Sequence, residues 1–169
     1  ALAAAGPVKA AVDDGATLAA LADARLAEEA NDPVAALAAL THVASAAPEL
    51  PGLRGRMLEQ AIQAGDLSAA RSAALRLWQG GDRRFDAQLV LVVDAMRRAD
   101  WKGARDYLNG RSDKAGGDAI ARLILPAFQS WIDVGAREKI PERHLLAAAS
   151  KGRPEPALEL EAALVQLAA

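Results

Sequence analysis

Cysteine is absent from this chain of 169 residues, which removes disulfides and thiolate metal sites and leaves the compartment open. Aromatic residues are sparse, with three Trp, one Tyr and two Phe, so any core must be built from aliphatic and small side chains. Histidine occurs only at positions 42 and 144. Neither belongs to a His-x-x-x-His spacing, so no metal-ligating motif is present. No apolar stretch reaches the roughly 18 residues of a membrane span. Strand signals are weak, and the one notable β-branched run, Leu89-Val90-Leu91-Val92-Val93, falls inside a helical period and reads as buried helix. The length suits one core of ordinary size better than two full domains.

Apolar residues make up 52% of the chain, with alanine the commonest, which favours helices packed closely through small side chains. Net charge is −2 but unevenly spread. Residues 1–70 hold four basic and nine acidic side chains, residues 71–114 ten and six, and residues 115–169 six and seven. Such asymmetry favours a charged partner or head-to-tail association, although opposite charges are interspersed throughout, as on an ordinary solvated surface. The opening segment Ala1-Leu2-Ala3-Ala4-Ala5-Gly6 has the character of an export-signal remnant near its cleavage site, or equally of a boundary within a longer chain. The compartment is left open between the cytoplasm and, on the export-signal reading, the periplasm or cell envelope.

Asp32, Asp66 and Asp100 are spaced 34 residues apart, the length of a helix–turn–helix unit in a helical solenoid. Such units stack because none buries its apolar face alone. With Asp32 sixteenth in its unit, the repeats cover 17–50, 51–84, 85–118 and a degenerate 119–152, flanked by an extension at 1–16 and a capping helix or half repeat at 153–169. The first unit predicts helices from about Thr17 to Ala30 and Pro33 to Ala46, with Asp32 as N-cap and Pro33 in the first turn. The second predicts Gly52–Ala64 and Leu67–Trp78, separated by Gly65 and ended by Gly80-Gly81. The third predicts Asp86–Arg98 and Trp101–Leu108, with Asn109-Gly110 and Gly116-Gly117 as a looser exit.

The small pairs Ala35/Ala36, Ala69/Ala70 and Gly103/Ala104 are expected to let paired helices approach closely. Leu37, Leu40 and Val43, then Leu67, Ala70, Ala74 and Leu77, trace the apolar face of each second helix. In the fourth unit a helix is expected over about 118–133, kinked at Pro126, with Val134-Gly135-Ala136 in the turn. A short helix then runs from Pro141 or later to Ala149, and Lys151-Gly152-Arg153-Pro154 separates it from an apolar helix over 155–169.

At these residues the chain resembles the tetratricopeptide repeat family. The matches are the 34-residue period, Gly65-Asp66 at the interhelical turn, alanine at the twentieth position (Ala36, Ala70, Ala104) and proline at the thirty-second (Pro48). The likeness covers residues 17–118 well and 119–152 weakly. Ala20, Arg54 and Gln88 stand at the fourth position, where the family has bulky residues. The resemblance implies an all-α, right-handed solenoid of stacked antiparallel helix pairs, about four repeats plus a terminal helix.

It also implies that the first helix of each pair lines a concave face. The groove positions would be Leu18, Leu21, Arg25, Glu28 and Glu29; Gly52, Gly55, Glu59, Ile62 and Gln63; Asp86, Leu89, Val93, Met96 and Arg97; then Ile120, Leu123, Ala127, Ser130 and Trp131. The asparagines are Asn31 and Asn109 alone, so the lysine/asparagine/arginine clamp with which some members hold peptide C-termini is not matched. An amphipathic helix laid over Leu89, Val93 and Met96 is one expected ligand. The alternative is that the final helix, through Leu158, Leu164 and Leu167, covers that surface.

Catalytic chemistry finds no support. His42 sits on a helix beside Val43, and His144 follows Glu142 and Arg143 in an expected exposed position. The adjacent Glu28/Glu29 and Asp13/Asp14 point in different directions on a helix and make no acid–base pair. Gly80-Gly81 and Gly116-Gly117 lack the lysine and hydroxyl of a phosphate loop. Trp78, Phe85, Trp101 and Tyr107 lie in the basic segment 71–114 and invite a nucleic-acid reading, but its six acids oppose a phosphate backbone. The expectation is therefore a non-catalytic scaffold or adaptor without cofactor or metal, holding a protein or peptide in the groove. Self-assembly, as a module of a larger repeat protein, is the second expectation.

Overall fold

The computed structural model describes residues 14–110, 119–150 and 156–169, with the backbone but not the side chains of 119–123. The expectations placed on Ala1–Gly6, Gly116-Gly117 and Lys151–Pro154 lie outside the described residues. Among the described residues the chain is all-α: α1 Asp14–Glu29, α2 Pro33–Ala46, α3 Leu53–Gln63, α4 Leu67–Gln79, α5 Phe85–Arg97, α6 Trp101–Asn109, α7 Ala119–Gly135, α8 Arg143–Ala149 and α9 Pro156–Ala168. The chain forms two compact units, Ala1–Ala70 and Arg71–Ala169.

One local device builds the turn at each repeated aspartate. After α1, the Asn31 N–H donates to the Glu28 carbonyl (3.0 Å) and the Asp32 N–H to the Ala27 carbonyl (2.9 Å). After α3, Gly65 bonds Ile62 (3.1 Å) and Asp66 bonds Ala61 (2.9 Å); after α5, Ala99 bonds Met96 and Asp100 bonds Ala95, both at 2.9 Å. These paired bonds are the Schellman closure, which needs one left-handed residue. Asn31, Gly65 and Ala99 supply it, with φ of 54°, 70° and 56°.

Each aspartate then turns to the next helix. Its Oδ1 accepts from the N–H of Ala35 (3.0 Å), Ala69 (2.9 Å) or Gly103 (2.9 Å), satisfying one of the donors a helix start leaves open. One residue ends a helix with its backbone and begins another with its side chain, which is why the spacing recurs on aspartate. The short turn reverses the chain, and α1 packs on α2 as α5 packs on α6.

The small pairs divide their roles. Ala36, Ala70 and Ala104 are wholly buried, whereas Ala35 is exposed and Ala69 and Gly103 are half-buried. The first member of each pair lends its N–H to the cap and the second packs. Leu67, expected on the apolar face, is 52% exposed because it immediately follows the cap, while Ala70, Ala74 and Leu77 are buried.

The first unit's core joins Ala24, Leu40, Val43 and Leu53, with Leu21 and Met57 against them. In the second, Val92, Ala95, Ala104, Leu108 and Ile132 form a cluster among α5, α6 and α7. Leu145, Leu158, Ala162 and Val165 form another, packed on Ala127, Trp131 and Val134. Gln88, at the position where the family has bulk, is fully buried. Its Nε2 donates to the carbonyls of Tyr107 (3.0 Å) and Leu108 (2.8 Å), closing the open carbonyl end of α6.

The fourth unit departs from the period. Its left-handed residue is Arg137, φ 58°, which stands 38 residues after Ala99 rather than 34. The same closure forms, Arg137 to Val134 (3.0 Å) and Glu138 to Asp133 (2.9 Å). Helix α7 therefore continues past Pro126 and includes Gly135, which was expected in the turn. This helical position takes glycine because the Trp101 ring occupies the space where a Cβ would stand. Glu138, in the aspartate's place, is followed by Pro141, and α8 begins only at Arg143 with no side-chain cap.

Candidate functional site

In the first unit, Arg25, Glu28 and Asn31 from α1 and its turn meet Arg56, Glu59, Gln60 and Gln63 of α3 around an open concavity of about 410 Å³. Ligand pockets commonly span about 300–1,000 Å³. On α3 the four residues recur at i, i+3, i+4 and i+7, a single helical face. All seven lining residues are polar.

The charges in this concavity are largely paired. Arg56 reaches from α3 to α1 and holds Glu28 with two bonds, Nε to Oε1 at 3.0 Å and Nη2 to Oε2 at 2.9 Å. This planar fork is the stronger form of ion pair. Arg25 is engaged by Glu29 on its own helix at 2.9 Å. Glu59 is exposed and has no ion-pair partner among the described residues. The side chains of Asn31, Gln60 and Gln63 likewise have no hydrogen-bond partner there.

Of the expected groove residues, the structure brings Arg25, Glu28, Glu59 and Gln63 together, with Glu29 beside them on Arg25. Ile62 is 44% exposed and is not among the lining residues. Asn31, Arg56 and Gln60 belong to the site but follow from no family position. The i, i+3, i+4, i+7 spacing around Glu59 was the available signal for Arg56 and Gln60, and Asn31, in the turn after α1, had none. Gly52 and Gly55 do not line it: Gly52 has φ 78° and precedes α3, and Gly55 is buried.

The second unit arranges its expected positions differently. Leu89 and Val93 are half-buried, and Met96 packs against the core cluster of α5, α6 and α7. Arg97 is exposed without an ion pair among the described residues. The side chain of Leu123 lies outside the described residues. Ala127 and Trp131 pack against the cluster formed with α9, and the Trp131 indole N–H donates to Glu161. Only Leu158 of the three expected α9 residues faces inward; Leu164 and Leu167 are 45% and 86% exposed.

A second polar assembly centres on Asp133, a carboxylate whose side chain is only 3% exposed. Oδ1 accepts from Arg105 Nη2 at 2.8 Å, and Oδ2 meets Arg143 Nη2 at 2.8 Å and His144 Nε2 at 3.2 Å. Arg105 also holds Glu138 at 2.9 Å. The hydrogen bond that Arg105 donates to Asp133 raises the Arg105 pKa, outweighing the opposite effect of burial. His144, expected to be exposed, is instead half-buried and tied to α7 by this carboxylate. Arg105, Asp133, Arg143 and His144 border a cavity of about 160 Å³ together with Leu108, Asn109 and Gln129.

Several cations and aromatics of segment 71–114 have partners within the chain. Arg71 and Arg98 both bind Asp94 at 2.8 Å, and Lys102 binds Asp106 at 2.6 Å. Arg83 lies 3.9 Å above the Trp78 ring, whose edge meets Tyr107 at a centroid distance of 5.4 Å. Among the described residues no group of three or more Cys, His, Asp or Glu is placed to hold a metal ion, and no helix is long and apolar enough to cross a membrane. No protein-family model, no curated protein and no solved structure matches the chain.

Proposed function

We propose that the chain is a non-catalytic scaffold of the tetratricopeptide kind, a right-handed solenoid that holds a protein or peptide segment on the faces of its first helices. The observation that carries this reading is the polar concavity between α1 and α3, four of whose seven lining residues, Arg25, Glu28, Glu59 and Gln63, stand at the groove positions that the resemblance implies. The thrice-repeated turn supports it, because a fixed hinge that reverses the chain every 34 residues is what stacked hairpins require. Peptide recognition needs no further chemistry than such a surface: hydrogen-bonding groups without internal partners, held on rigid helices.

Site-specific photocrosslinking tests the reading. A photoreactive residue at Gln63, in the concavity, is compared with one at Thr41, exposed on α2. The expected result is a discrete crosslinked partner from Gln63 alone in an extract of the source cells. Equal products from both positions, or none from Gln63, would overturn the groove as the binding face.

A further inference from the structure

We propose that the α1–α3 concavity selects an extended segment carrying a lysine or arginine, and that Glu59 is the residue that receives the cation. This rests on the groove reading above and gives it a ligand chemistry. Both lining cations are already neutralised, Arg56 by Glu28 at 2.9 and 3.0 Å and Arg25 by Glu29 at 2.9 Å. Glu59 is the lining charge left over, and it is exposed. A cation brought to it forms a charge-assisted bond without breaking an existing pair. An anion would meet no free positive charge. The surrounding field has the same preference, since residues 1–70 hold nine acidic against four basic side chains and such an excess draws cations toward the surface.

The ligand is extended rather than helical. No lining side chain is apolar, so the stripe of an amphipathic helix would find nothing to bury against. Asn31 and Gln63, both exposed, instead offer carboxamides, each with two donors and an acceptor, beside the largely buried Gln60. These match main-chain N–H and C=O groups, which an extended peptide leaves open and a helix has already bonded internally. The cation then supplies the side-chain selection, and the carboxamides hold the backbone on either side of it.

A random dodecapeptide library displayed on phage, panned on the folded full chain, tests this. Synthetic copies of the enriched peptides are then titrated against wild type, Glu59→Gln and Gln63→Ala. The expected result is enrichment of Lys or Arg at one fixed position, with affinity weakened about tenfold or more by Glu59→Gln and reduced by Gln63→Ala. Glu59→Gln is nearly isosteric at an exposed site, and an unchanged circular dichroism spectrum confirms its fold. Peptides weakened by Gln63→Ala but lacking a basic residue, or binding Glu59→Gln as well as wild type, would overturn the cation assignment and leave the groove standing. Absence of any enrichment, or peptides indifferent to both variants, would overturn the groove along with it.

Discussion

Arg105 on α6 binds Asp133 on α7 at 2.8 Å, and the two are unequally placed: the Asp133 side chain is 3% exposed and that of Arg105 38%. Asp133 provides the carbonyl that closes the fourth turn, the place held by Ala61 and Ala95 in the turns before it. A charge thus stands where the earlier units pack a methyl group. Removing a partner from a buried ion is costly because the ion is left behind without water, whereas removing the buried ion releases partners that reach solvent.

Two variants should therefore differ in order. Arg105→Gln strands Asp133 with Arg143 and His144 alone and is expected to lower stability by about 2 kcal/mol. Asp133→Ala restores the alanine of the earlier turns and should cost less, about 1 kcal/mol. Urea denaturation of both variants measures the order directly, and a greater loss in Asp133→Ala would reject the asymmetry. The raised pKa of Arg105 fixes its pH behaviour. A cation whose folded value lies above its unfolded one stabilises fully at all lower pH and loses that contribution only as pH rises through its strongly alkaline range. The Arg105→Gln deficit contributed by ionisation of Arg105 should thus stay constant between neutrality and moderately alkaline pH.

The turns predict opposite effects from opposite exchanges. Ala99 holds φ 56° and Gly65 φ 70° in the same closure. Left-handed backbone costs a residue with a Cβ about 1–2 kcal/mol, and glycine gives back about 0.4–1 kcal/mol through its freer unfolded chain. Ala99→Gly should accordingly raise stability by about 0.5–1 kcal/mol, and Gly65→Ala should lower it by about the same amount. No neighbour crowds a Cβ at Gly65, so backbone strain alone is tested. Thermal melts that shift both variants in one direction would contradict the left-handed assignment at one of them.

The caps and turns were legible in the sequence because each is written in neighbouring residues. Asp32-Pro33 marks the start of α2, which runs Pro33–Ala46 as the spacing predicts. Alanine at the twentieth position likewise marked the buried contact. The fourth unit was not legible, because its length depends on contacts between distant residues. Gly135 reads as a turn until Trp101 is seen over it, and His144 reads as exposed until Asp133 is seen beside it. The concavity was partly legible: Arg25, Glu59 and Gln63 follow from the family's groove positions. Arg56 and Asn31 do not, since one crosses from α3 to Glu28 and the other enters from a turn.

Gly135→Ala should be more damaging than a glycine-to-alanine change in a helix normally is. Alanine is the better helix former by about 1 kcal/mol, so an open site would gain stability. Here a Cβ would enter the Trp101 ring, and the ring packs against the cluster containing Ala104 and Ile132. Withdrawal of the ring would give up packing against that cluster, and overpacking typically costs about 1–3 kcal/mol. A net loss of about 1 kcal/mol is expected, with partial recovery in the double variant Gly135→Ala/Trp101→Leu. A stabilised single variant would show that Trp101 moves aside freely.

Self-association should respond to salt in the direction opposite to an attraction of charges. Helix α9 exposes Leu160, Leu164 and Leu167 at 64%, 45% and 86%, and α1 exposes Leu18 and Leu26 at 65% and 64%. Contact between α9 of one copy and α1 of another would bury these leucines. Yet α9 contains Glu159 and Glu161 without a basic residue, and α1 sets Asp14, Asp23, Glu28 and Glu29 against Arg25 alone. Like charges repel beyond contact at low ionic strength, and salt screens that repulsion within about 10 Å at 0.1 M while leaving apolar burial intact. Sedimentation velocity should therefore find a monomer at low salt, with any dimer appearing only as salt is raised and vanishing in Leu164→Glu. Association that is strongest at low salt would place the contact on the basic residues of segment 71–114 instead, and would make charge rather than the leucine stripe its cause.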